Sequence, residues 1–505
     1  MTAVTLISPN LVLQKNDIMT TGIVYMPVSL AYLAGELRTH NYQCNVIDSF
    51  GESPNQWREK GNFIYRGLTP QEVSSMVSRD SSLIAIYAMS LIAHDSIVEI
   101  IKELKNKFPE KKIAILENSQ AVTAYAVRKV QKEFHDLGVD YIIAGEPEER
   151  VKLLLAYLEN KIEVDLSKED GFGIRLNGVD YFNRSSNKIK DLDTLSYAAW
   201  DLFPIQNYWN LRYAHGPQSS SKYLPILTSR GCPYACNFCV IPDTNDRKWR
   251  AKTPSAVTKE IQFYMKTFGV TEFHFEDVNP TVNNKRINEI CDDIIQNKLN
   301  IKWKLCAGTK VETLRNTSTI EKMAQAGCNY ISISPESGSP ELMKLINKPF
   351  DISLAINLIR HMNKCKIYSQ ACFILGFPGE TDADRVLTKK MLEDLTKNGL
   401  DETALFIVTP VPGSSIDNKF SGYKEYSELN FSPTWRDDYE KLSKFRISLY
   451  RTFMIHKLIY SPIKMAIQCI RFLRRRFNTK MEMVPYRALH TTLMLKGILG
   501  KKVTQ

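Results

Sequence analysis

No stretch of this 505-residue chain is long and apolar enough to cross a bilayer. The longest apolar run, around Leu83 to Ala93, falls well short of the ~20 residues a spanning helix needs. The amino terminus, MTAVTLISPN, lacks the charged start, long apolar middle and small-residue cleavage site of a secretion signal, and reads as the start of a strand. A disulfide framework is missing as well. The ten cysteines, at 44, 232, 236, 239, 291, 306, 328, 365, 372 and 469, sit mostly inside apolar segments with a single cluster of three, the pattern of a reducing compartment. These absences predict a cytoplasmic protein. Acids are scarce at one end only: Lys441 to Gln505 holds fifteen Lys/Arg against one acid, Glu482, a surplus that exceeds the net +11 of the whole chain. Attraction to an anionic partner is therefore a property of this tail.

What is present suffices for several cores, since 44% of the residues are hydrophobic. Over residues 1–160, short aliphatic runs (VTLISP, CNVIDSF, SLIAIYAMS, KIAILENS, VDYIIAGE) alternate with amphipathic stretches such as SIVEIIKELKNKF. That alternation predicts an α/β domain with a doubly wound, Rossmann-like parallel sheet, whose ligands sit at the carboxyl ends of the strands. Residues 161–222 read as a linker, polar at first and then aromatic in YAAWDLFPIQNYW. From 223 to 416 the alternation resumes in YLPILTSR, EFHFED, IKWKLCAG, YISISPES, QACFILGF and TALFIVTPVP, a spacing that predicts a partial (β/α)6 barrel. Residues 417–505 read as a basic helical region.

The clustered cysteines follow the first barrel strand in TSRGCPYACNFCV, spaced C-x3-C-x2-C at Cys232, Cys236 and Cys239. So short a loop can bring three thiolates to three corners of a [4Fe–4S] cubane and leave one iron without a protein ligand. Zinc is the competing reading, but a structural zinc wants a fourth ligand. The nearest histidines, His215 and His274, lie on another loop and in the next strand. Further along, Glu276 and Asp277 end a strand, where paired acids can accept hydrogen bonds from a ligand's ammonium group or cap the helix that starts near Asn283. Gly376, Pro378 and Gly379 form a loop that lets backbone approach a ligand, or a simple turn.

The trio, flanked by Gly231, Pro233 and Phe238, resembles the radical S-adenosylmethionine superfamily. FHFEDVNP (273–280), GCNYISISPESGSPELM (327–343), ILGFPGET (374–381) and TPVPGSSI (409–416) are similar to its later strand-end motifs, in the same order. The resemblance implies a [4Fe–4S] cluster on the trio, S-adenosylmethionine on the open iron, a 5′-deoxyadenosyl radical, and cofactor contacts from Glu276, Asp277, Glu336, Ser337 and Gly376. With PVSLAYLAGELRTHNYQCNVID (27–48), VDYIIAGEPEE (139–149) and DLDTLSYAAWDLFP (191–204), the chain resembles the class with a cobalamin-binding domain ahead of the barrel, which includes many methyltransferases and an anaerobic cyclase of chlorophyll synthesis. That implies cobalamin as a third cofactor and methyl transfer to an unactivated carbon of a small-molecule or lipid-like substrate, with an external one-electron donor of flavodoxin or ferredoxin type. Two departures stand out. There is no D-x-H-x-x-G to mark a histidine ligand to cobalt, and IAIL (113–116) runs into Glu117, Asn118 and Ser119 where the class has two glycines.

Two other functions compete. A transfer RNA methylthiotransferase would bring three more cysteines in its first domain, where only Cys44 occurs. A non-catalytic membrane-surface protein on an inherited barrel would not need the intact cysteine spacing. The tail mixes Phe445, Ile447, Tyr450, Phe453, Ile459, Ile463, Ile467, Ile470 and Phe472 with basic residues up to Arg474, Arg475 and Arg476. Such a helix can lie on an anionic membrane surface or pack on the barrel with its basic face solvated. A nucleic-acid partner is not expected, because the tail lacks the aromatic repeat of an RNA-binding module.

Overall fold

Parallel strands covered on both faces must be apolar almost throughout, and five such strands open the computed structural model, which describes residues 3–503. They are β1 (Ala3–Ser8), β2 (Gln43–Asp48), β3 (Ser81–Ala88), β4 (Lys112–Glu117) and β5 (Tyr141–Ile143), paired in parallel in the order β2-β1-β3-β4-β5. The order reverses between β1 and β3, and a doubly wound sheet leaves a ligand crevice at the carboxyl ends of such a pair. Among its covering helices are α1 (Val28–Thr39), α2 (His94–Lys107) and α3 (Pro147–Leu158).

Part of the stretch read as a linker joins this sheet. β6 (Phe172–Leu176) and β7 (Val179–Phe182) form a hairpin that adds to β5 antiparallel. Its turn is Asn177-Gly178, both at positive φ, which suits the two-residue turn that matches strand twist. The aromatic half of the stretch is core: Trp200 and Trp209 are buried in one apolar cluster that runs through both halves of the molecule.

The second sheet is parallel and in chain order: β8 (Leu224–Ile226), β9 (Glu272–Phe275), β10 (Lys302–Thr309), β11 (Cys328–Glu336), β12 (Tyr368–Leu375) and β13 (Glu402–Ile407). Its first and last strands do not pair, so the barrel stays open. Helices α4 (Pro254–Phe268), α5 (Asn284–Gln296), α6 (Thr317–Gln325), α7 (Ile352–Lys364) and α8 (Asp382–Lys397) cover its outside. Asn283 itself caps α5, accepting from Arg286 N at 3.1 Å, so neither Glu276 nor Asp277 serves as that cap.

Three helices close the chain: α9 (Tyr439–Tyr460), α10 (Pro462–Arg474) and α11 (Lys480–Leu495). α9 and α11 pack against β13, the exposed barrel edge. Beyond α11, Lys501–Lys502 pairs with Gln56–Trp57 in a small sheet shared with Phe63–Arg66 and Leu11–Gln14, so the tail returns to the first unit. Buried ion pairs clasp the units together: Arg230 with Glu148 at 2.6 Å and Arg250 with Glu146 at 2.7 Å. No helix among the described residues is long and apolar enough to cross a membrane.

Candidate functional site

The carboxyl ends of the two sheets face each other across a cavity of about 280 Å³. One wall belongs to the α/β unit: Tyr87, Met89 and Ser90 after β3, Asn118 and Gln120–Thr123 after β4, and Ile23–Ser29 leading into α1. The other is the barrel mouth, with Cys232, Cys236, Cys239, Glu276, Cys306, Glu336, Lys348 and Cys372. A smaller lobe of about 100 Å³ continues to Ser8–Asn10 and Leu91–Ala93, at the switch between β1 and β3.

Local backbone chemistry fixes the cysteine loop. Gly231 has φ +78°, and a Cβ there would stand 2.1 Å from the Lys248 carbonyl oxygen. The Gly231 N–H donates to Gln120 Oε1 at 3.0 Å, while Asn347 Nδ2 donates to the Ala235 carbonyl at 2.7 Å. The loop is therefore held from both units. All three cysteines are free thiols on the cavity wall. Burial pushes each thiol up, Cys239 to about 12, and Lys348 and Lys310 counter this at Cys232 and Cys236. Their sulfurs are not drawn to within 4.8 Å of one another as the ligands of one small ion are; among the described residues only His274, Glu276 and Cys306 are so placed. Three free thiols on one cavity wall are the donor set that three corners of a cubane cluster take.

The other residues picked from sequence divide. Glu276 faces the cavity and its Oε2 lies 2.6 Å from His215 Nδ1. Burial alone would raise the Glu276 carboxyl; the His215 imidazole outweighs this and holds it below the ordinary range. Glu336, at φ +59°, also lines the cavity and pairs with Lys348 at 2.5 Å beside Cys236. Asp277 does not reach the cavity. Its carboxylate accepts from Thr228 Oγ1 at 2.9 Å and Ser229 Oγ at 2.6 Å as well as from both backbone N–H groups, tying β9 to the start of the cysteine loop. Ser337 is likewise turned away, with its hydroxyl on Thr388 Oγ1 at 2.8 Å. Gly376, at φ +79°, instead makes room for α9: a Cβ there would meet Leu442 Cδ1 at 2.5 Å, and its carbonyl accepts from Arg436 Nη2 at 3.0 Å. Asp277, Ser337 and Gly376 thus bind parts of the scaffold together and do not line the cavity.

Sequence reasoning missed a polar lumen. His274, Cys306, Gln370 and Cys372 point inward from β9, β10 and β12, and His215 and Tyr25 close over them. The signal was there, because alternate positions of a barrel strand face the lumen and these hold polar groups. Lys480, from the start of α11, also lines the cavity and donates to Gln370 Oε1 at 3.3 Å; only the tertiary fold brings it there.

On the opposite wall, Glu117 occupies the place where the resemblance implies glycine. Burial raises its carboxyl to about 7, and it accepts from Val127 N at 3.1 Å and Gly145 N at 2.6 Å, organising the strand end. That wall carries no histidine among the described residues. Met89, Ala121 and Val122 give it apolar surface for a flat corrinoid, and no imidazole is offered there to the corrinoid's metal.

Comparison with known proteins agrees with this geometry. Residues 226–392 match the Radical SAM superfamily. An uncharacterized methyltransferase of Pyrococcus horikoshii is 25% identical over 405 residues, 80% of this chain and 79% of that one. The anaerobic magnesium-protoporphyrin IX monomethyl ester cyclase of Synechocystis is 28% identical over 333 residues; the match spans 65% of this chain and 63% of the cyclase. Among solved structures, TsrM of Kitasatospora setae, a radical S-adenosylmethionine methyltransferase with cobalamin and a [4Fe–4S] cluster bound, superposes with a TM-score of 0.62 at 13% identity, covering 83% of this chain and 78% of that one.

Proposed function

Because the chain belongs to the radical S-adenosylmethionine superfamily, we propose that it is a cobalamin-dependent methyltransferase acting on an unactivated carbon of a small or lipid-like molecule. The observation that carries this reading is the single cavity with the cysteine trio on one wall and the carboxyl ends of a doubly wound sheet on the other. When bound, the cluster with S-adenosylmethionine supplies a hydrogen-abstracting radical, and cobalamin supplies the methyl group.

The chain's own residues then have distinct tasks. Cys232, Cys236 and Cys239 hold the cluster. Glu276, held ionised beside His215, would accept from the ammonium group of S-adenosylmethionine. Lys348 offsets negative charge next to Cys236 while its partner Glu336 keeps it in place. Asp277 positions the loop through Thr228 and Ser229 without touching a ligand. Met89, Ser90 and Val122 would provide a surface for the corrinoid, and the lumen around Cys306, Gln370, Cys372 and Lys480 would receive the substrate. We divide the chain, as the sequence suggests, into 1–160, 161–222, 223–416 and 417–505; the hairpin at 172–182 pairs with the sheet of the first unit. The partners are the substrate and a flavodoxin- or ferredoxin-type electron donor. Ten free thiols and an oxygen-sensitive cluster suit the reducing cytoplasm.

Anaerobic reconstitution with iron, sulfide and hydroxocobalamin, then desalting and metal analysis, tests the reading. Retention of about four irons per chain together with cobalt supports it. Iron without cobalt removes the methyl-transfer mechanism and leaves the radical assignment standing.

A further inference from the structure

Helix α10 is built inside out. A helix on a protein surface normally turns its apolar stripe inward and its polar face to water. Here the inward face is polar: Lys464 donates to the Gly399 carbonyl at 3.0 Å and pairs with Asp401 at 2.9 Å, buried Gln468 donates to Thr479 Oγ1 at 2.9 Å, and Arg471 donates to Tyr368 Oη at 2.6 Å. The apolar residues point out. Ile463 is 75% exposed and Leu473 78%, with Ile467 and Ile470 between them at helical spacing. The patch extends onto α9, where Leu458 and Ile459 are 59% and 61% exposed. Single exposed apolar residues are ordinary; a contiguous set over two helices, anchored by specific polar contacts beneath, is not.

The surrounding charge selects what covers it. No Asp or Glu occurs between Glu440 and Glu482, while Arg451 lies within the α9 part of the patch and Arg474, Arg475 and Arg476 stand exposed at the end of α10. An apolar face whose own two helices carry only positive charge from Lys441 onward complements a lipid surface with anionic headgroups, where the side chains enter the acyl boundary and the guanidinium groups stay among the phosphates. We propose that the outward face of α9 and α10 is a docking surface for an anionic membrane. It holds the enzyme at the bilayer without crossing it. The proposal goes beyond the catalytic reading and survives if that reading fails, because no cofactor takes part in it.

Full-length enzyme sedimented with vesicles of phosphatidylcholine, with and without phosphatidylglycerol, provides the test, with light scattering in parallel. Binding is expected only to the anionic vesicles and should weaken with salt. Ile463→Ser with Leu473→Ser, two positions in water with nothing to unpack, should abolish it. Arg474→Gln with Arg475→Gln should weaken it by an order of magnitude or more, since each basic residue near such a surface contributes roughly fivefold. Equal binding to both vesicle types, or binding unchanged in the Ser double variant, overturns the proposal. So does failure to sediment, and a concentration-dependent dimer abolished by the same variant would give the face to a second copy of the chain instead.

Discussion

Each residue at the cavity can be removed singly with a distinct expected outcome. Cys239→Ala should lose the cluster's iron and its visible absorption while the protein stays folded, because the thiol faces the cavity. Glu276→Gln should keep the iron and weaken S-adenosylmethionine binding by roughly ten- to a hundredfold, the worth of a charge-assisted hydrogen bond; equilibrium dialysis of the reconstituted enzyme reads this. Glu402, beneath the lumen, bears on stability instead. Burial raises its carboxyl to about 7 while Tyr330 Oη and Met481 N donate to it. A raised folded-state value means that its contribution is fully present below the ordinary carboxyl range and is lost as pH climbs through about 7. Glu402→Gln, whose amide can donate to Tyr330 Oη and accept from Met481, should flatten the fall in Tm between about pH 4.5 and 7. An unchanged slope would assign that fall to other groups. At this scale the sequence pointed to the cysteines and Glu276 through spacing and strand ends, and all four line the cavity. It could not separate Glu276 from Asp277, because adjacent residues on a strand point to opposite sides and only the finished barrel says which side is the lumen.

Elements were legible where burial made them periodic. The five parallel strands of the first sheet and the six of the barrel stand where aliphatic runs predict them, because strands buried on both faces leave no freedom of composition. The hairpin β6–β7 was hidden in a polar stretch whose Asn177-Gly178 pair was its single local mark. The orientation of α10 was invisible for another reason: its amphipathic pattern is the ordinary one, and only its neighbours determine which face looks inward. Gly35, inside α1, shows packing overruling propensity. Alanine at a mid-helix glycine usually gains ~1 kcal/mol, but here the new Cβ would stand 2.1 Å from the Tyr197 carbonyl oxygen. Gly35→Ala should therefore lose about 1–3 kcal/mol, the cost of overpacking, seen as a lower urea midpoint; a higher midpoint would show that the connector yields.

For the whole molecule, the continuous apolar core and the returning tail strand make the two units one cooperative body. Calorimetry of the intact protein should give a single unfolding transition. Glu148→Ala, which leaves buried Arg230 only its longer 3.6 Å contact with Glu146, should cost a few kcal/mol, at or below the ~3–5 kcal/mol of a fully stranded buried charge, and split that transition in two.

The same clasp governs traffic. Arg230 and Gly231 of the cysteine loop are gripped by Glu148 and Gln120 of the opposite unit, so the walls cannot part without breaking buried ion pairs and dragging the loop along. Whatever is seated between them leaves only as fast as that separation occurs. Residence is then set by a mechanical latch and not by affinity alone: exchange of an enclosed macrocycle for an isotopically labelled copy should be slower than turnover of a small substrate, and should quicken when the latch is cut.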